Sequence, residues 1–97
     1  MNAARGETSL MIGGEARRLC LTLGALAEIE AAFGCKRMTE LDARLRSLSA
    51  ADLTLVLAAL LRGGGEDEAA TRLGSADVSP GAAARAVAEA FRLGLAA

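Results

Sequence analysis

Gly13-Gly14-Glu15 separates two short runs that read as strands, Glu7–Ile12 and residues 16–22, and this punctuation constrains the fold more than any other feature. Paired glycines supply the positive φ angles that a tight hairpin turn demands. Alternation places Thr8, Leu10 and Ile12 on one face of the first strand. It places Leu19, Leu21 and Leu23 on one face of the second strand and its exit. A two-stranded ribbon is marginal in water, so the rest of the chain has to lie across that apolar face. The remaining sequence reads as helices. The expected fold is therefore α+β, an N-terminal β-hairpin packed against a bundle of four to five short helices. With 97 residues, the chain is read as a single domain, 1–97, with one core.

The helices are legible from their caps and stripes. Thr22 caps the first, Leu26, Ile29 and Phe33 form its inward stripe, and Gly34 supplies a left-handed stop. Thr39 with Asp42 reads as a variant capping box opening a short helix with the stripe Met38, Leu41, Leu45 and Leu48. Its wet side carries Glu40 with Arg44 and Asp42 with Arg46 at i, i+4 spacing. Ser49 and Asp52 repeat the capping signature before the strongest helix, whose core positions are Leu53, Val56, Leu57, Leu60 and Leu61. Gly63-Gly64-Gly65 reads as a helix stop with a flexible linker, followed by a short acidic-start turn or helix reaching Leu73 and Gly74. Ser79-Pro80 then caps a last helix with Ala86, Val87, Ala90, Phe91 and Leu95 inward and Arg85, Glu89 and Arg92 wet.

Composition excludes several functions. Eleven basic against twelve acidic residues leave a net charge of −1, so no field exists to gather nucleic acid or anionic lipid. Two phenylalanines and no Trp or Tyr leave little for bases to stack upon. The apolar run 53–61 is far shorter than the roughly 20 residues a span needs, so no membrane partner is expected. The N-terminus lacks the apolar region of a secretory signal, and the expected location is cytoplasmic, where Cys20 and Cys35 stay reduced and pack as small apolar groups.

The chemistry-bearing residues do not assemble into a catalytic pattern. Glu28 and Glu30 lie two apart on a helix, so their side chains diverge by about 200° and cannot serve one substrate as an acid/base pair. A solvated helix face is the preferred reading, with a salt-bridge or docking role left open. The chain has no histidine, and its two cysteines stand fifteen apart, which fits neither zinc nor Cys-His chemistry. No phosphate-binding Lys-Ser or Lys-Thr follows the glycine triplet, and three acids do. Lys36-Arg37 and Arg17-Arg18 read as solubilising charge. The protein is expected not to be an enzyme and to hold no cofactor or metal.

What the composition does carry is surplus apolar surface. On the central helix Leu55, Ala58 and Ala59 are apolar outside the core stripe, and Met11 sits on the hairpin face opposite Leu10 and Ile12. Met11, Leu55, Ala58 and Ala59 are therefore the expected partner-binding residues.

Several blocks resemble a known family. An N-terminal "ARGE", the hairpin, "LCLTLGALAEIEAAFG" over 19–34, "LSAADLTLVLAALLRGGG" over 48–65 and an Ala-rich closing helix are similar to the small tail proteins of gene transfer agents. That family is grouped with phage tail assembly chaperones and sometimes labelled a tail tube protein. The likeness covers almost the whole chain and is weakest over 66–78. It implies a bacterial host cell and a non-catalytic assembly factor for a long non-contractile tail, binding the tape-measure protein, the tail tube protein or both. The alternative is a structural subunit retained in the particle, and homo-oligomerisation is left open. An apolar helix or a free strand edge is the kind of surface such partners require.

Overall fold

The structure, a computed structural model, describes residues 7–96. The first three residues of the "ARGE" block therefore lie outside the described residues. In chain order the elements are β1 (Glu7–Ile12), β2 (Glu15–Cys20), α1 (Leu23–Phe33), α2 (Met38–Leu45), α3 (Ala50–Gly63), α4 (Asp67–Thr71), a 3-10 turn (Leu73–Ser75) and α5 (Pro80–Gly94). This is the expected α+β arrangement, an antiparallel hairpin covered by helices.

The turn is tighter than the sequence reading placed it. Gly13 and Gly14, at φ 59° and 84°, make a two-residue turn of the mirror-image type that matches strand twist. Ile12 then faces Glu15 and Glu7 faces Cys20. The second strand starts at Glu15 and ends at Cys20, because Thr22 belongs to the next helix: its Oγ1 accepts the Ala25 N–H at 3.0 Å. Leu10, Ile12, Leu19 and Leu21 are buried. Leu23, expected beside them, is 82% exposed. As the first residue of α1 it has left the strand's two-residue period.

Helix ends follow the local chemistry closely. At Gly34 (φ 68°) the glycine N–H donates to the Ala31 carbonyl and the Cys35 N–H to that of Glu30, a Schellman stop. Ser49 and Asp52 form a reciprocal capping box, with bonds of 3.1 and 3.2 Å. Ser79 Oγ accepts the Ala82 N–H at 3.3 Å ahead of α5. The box expected at Thr39 and Asp42 does not form. The α2 helix begins two residues earlier, Arg37 is its cap without a side-chain bond, and Asp42 pairs with Arg46 at 3.1 Å. The Glu40–Arg44 pair is likewise replaced. Arg44 reaches Asp52 at 3.3 Å and lies over the Phe33 ring, 4.7 Å from its centre, tying α2 to α3 and α1.

Helix α3 is the hub. It buries Val56, Leu57, Ala59, Leu60 and Leu61 and touches α1, α4, α5 and β2. Helix α5 lies under β1 and buries Ala83, Ala86, Val87, Ala90 and Phe91. Leu95, expected in that stripe, follows the helix end and is half exposed.

The glycine triplet is not a linker. A Cβ on Gly63 would stand 2.2 Å from the Cys20 carbonyl oxygen, and one on Gly64 would stand 2.4 Å from that of Arg18. Both glycines are required so that the end of α3 can lie directly against β2. Gly65 alone of the three needs its positive φ, 81°, to turn the chain into α4.

Candidate interaction surface

No cluster of His, Cys, Asp or Glu among the described residues could hold a metal ion. The ionisable groups with displaced affinity sit in exposed ion pairs. Arg62 holds its proton more tightly than usual, chiefly because its Nε donates to Glu28 Oε1 at 3.0 Å. Its Nη2 donates to the other oxygen of the same carboxylate, a two-pronged contact joining α1 to α3. The carboxyl of Glu89 is held below its ordinary range by the Arg92 guanidinium, whose own affinity is raised in return. Each shift has one exposed partner as its main cause, and the two pairs share no residue. Of the two acids weighed above, Glu28 is thus a bridge between helices. Arg17 is likewise engaged, 3.4 Å from Glu15 and 3.6 Å from Glu66.

The four residues expected to bind a partner do not form one surface. Met11 stands on the outer face of β1, 57% exposed. Leu55 is 49% exposed and borders a small hollow that also touches Phe33 and the Glu28–Arg62 pair. Ala58 is half-buried against the core. Ala59 is buried at 1% exposure, a core residue with no surface to offer. On α3, positions 55 and 59 share a side, but α1 packs over the second of them and leaves only the first open.

A larger apolar groove, about 480 Å³, opens elsewhere. The end of α2 and the segment after it supply Leu45 and Leu48, α3 supplies Ala50 and Leu53, and α5 supplies Ala84, Val87, Ala88 and Phe91. Asp42 and Arg46 stand at its rim. The groove exists because α2 and α5 diverge: α2 packs mainly on α1, while α5 follows the hairpin. Leu45, Leu48 and Leu53 were legible as inward positions, yet they border a cleft that no element among the described residues fills, while Phe91 beside it is buried. The available signal was Ala84 and Ala88, small residues at i, i+4 that leave the α5 flank shallow.

Set against known proteins, the chain matches a family described as phage tail tube protein, GTA-gp10, over residues 5–97. No curated protein and no solved structure matches it.

Proposed function

The chain belongs to this phage and gene transfer agent tail family, and from that premise we propose that it is a structural subunit of a phage-like tail, retained in the particle. The observation that carries the reading is the family match, which spans nearly the entire chain and whose description names the tail tube. That description fits the retained subunit better than the transient assembly factor expected from the sequence. A tail component associates with other tail components, and this chain offers an apolar groove for it. An amphipathic helix of a neighbouring tail subunit is the occupant that suits a cleft walled by α2, α3 and α5. Neighbouring tube subunits and the tape-measure protein are the partners this reading assigns.

The test is the composition of purified particles. A retained subunit is present in every intact tail at fixed stoichiometry. If particles need this chain to form but do not contain it, the assembly-factor reading replaces the present one.

A further inference from the structure

Helix α2 is the least anchored wall of the groove. Of its eight residues Leu41 alone is buried, and its cap residue Arg37 makes no side-chain bond. An element with so few buried contacts moves at small cost. Its neighbours are fixed without it. Helix α1 stops at the Gly34 Schellman turn and α3 starts from the Ser49–Asp52 box, and both sets of bonds close locally. Residues 36–37 and 46–48 are thus short joints on which α2 can rock while α1 and α3 stay whole.

Arg44 ties α2 down on the side away from the groove. Its guanidinium lies 4.7 Å from the centre of the Phe33 ring and donates to Asp52 Oδ1 at 3.3 Å. Asp52 accepts the Ser49 N–H on its other oxygen, so releasing Arg44 leaves the α3 cap intact. On the helix, Arg44 and Asp42 fall on opposite sides of Leu41. Asp42 borders the groove, as does Leu45. Leu45 and Leu48 are half-buried there, and α5 lines the same cleft with Ala84 and Ala88, both exposed. Leucines facing small side chains across unfilled space lack the contacts that close packing supplies.

We propose that α2 is a hinged lid, pivoting on Leu41, that swings Leu45 and Leu48 onto Ala84 and Ala88 and closes the groove, with Arg44 as the latch that holds it open. The two alanines leave room for the two leucines, room that a longer side chain at either position would take up. Closure hides the cleft from any incoming chain. A ligand of the groove binds the open form, so its apparent affinity scales with the open fraction. The lid belongs to the free chain and does not rest on the tail reading.

Methyl NMR of the full chain tests it. Relaxation dispersion in the microsecond-to-millisecond range is expected at the methyls of Leu45, Leu48 and Ala88, and not at Leu57 in the core. Arg44→Ala is expected to shift the population toward the closed form, raising the Leu45–Ala88 methyl cross-peak several-fold. Arg44→Lys, which keeps a cation near Asp52 and Phe33, is expected to restore most of the wild-type intensity. Ala88→Gln sets an amide where Leu45 would land and is expected to hold the lid open, abolishing the exchange. It decides the matter should Arg44→Ala lose α2. Wild-type methyls without exchange overturn the proposal. So does an unchanged cross-peak in folded Arg44→Ala, or unchanged exchange in Ala88→Gln. An exchanging state with random-coil shifts along α2 also overturns it, because that state is local unfolding and not closure. Particle stoichiometry reads the tail role separately, so either conclusion can fall alone.

Discussion

The backbone N–H of Arg18 donates to the Glu66 carboxylate at 2.9 Å, joining the edge of β2 to a residue 48 positions away. Glu66 also stands 3.6 Å from the Arg17 guanidinium, so one side chain serves two consecutive strand residues.

Glu66→Ala removes that seal. The expected loss is about 1.5–3 kcal/mol, the scale of a hydrogen bond to a charged acceptor, measured as a shift in urea midpoint. Exchange at the Arg18 amide should quicken selectively. An Arg18 amide that exchanges as slowly as before would show that Glu66 is not what protects it.

Gly64→Ala is expected to cost about 1–3 kcal/mol, because its Cβ would stand 2.4 Å from a backbone oxygen that β2 cannot easily move. Gly74→Ala, with no neighbour within 4 Å, is the control and should change stability little. Thermal unfolding of the pair separates close packing from a general glycine effect.

Leu57→Ala should cost about 2–5 kcal/mol, since Leu57 is buried in the core. Leu55→Asp, two residues away but half exposed, should cost only about 1 kcal/mol through lost partial burial and helix propensity and retain its helical circular dichroism. Outright unfolding of Leu55→Asp would make Leu55 a core residue.

The Glu89 carboxyl should titrate below the ordinary glutamate range in side-chain NMR, and Arg92→Ala should restore it. The sign follows from the direction. The folded-state affinity for protons is depressed, so any stabilisation from this pair is present above the unfolded-state pKa. It is lost as pH falls through the lower folded-state value. An unchanged titration in Arg92→Ala would assign the shift to another cause.

Caps and glycine stops were the most legible elements, because Thr22, Gly34, Ser49 and Ser79 act through bonds that close within a few residues. The box at Thr39 failed for the same locality. Its competitor was another local contact, the Asp42–Arg46 pair four residues on, whereas the Glu40–Arg44 pair lost Arg44 to Asp52 on another helix. The glycine triplet read as a linker because nothing in its own neighbourhood reveals that β2 lies against it. Ala59 and Leu55 share one apolar arc in sequence, and only the placement of α1 separates a core residue from a surface one. The groove was invisible for a related reason. Periodicity marks which side of a helix is apolar, not whether another element reaches it.

Ala88→Glu tests that groove directly. Ala88 is exposed and lines the cleft on α5, so a longer charged side chain there needs no core rearrangement. Helix propensity changes by only a few tenths of a kcal/mol, and the unfolding midpoint should stay close to wild type. The apolar cleft, however, now holds a carboxylate that an incoming apolar helix would have to desolvate without a partner. Copies of the variant per particle should fall several-fold in cells that also carry the wild-type chain, while light scattering of the free variant is unchanged. Undiminished incorporation would remove the groove from the tail contacts, and a collapsed midpoint would place Ala88 in the core.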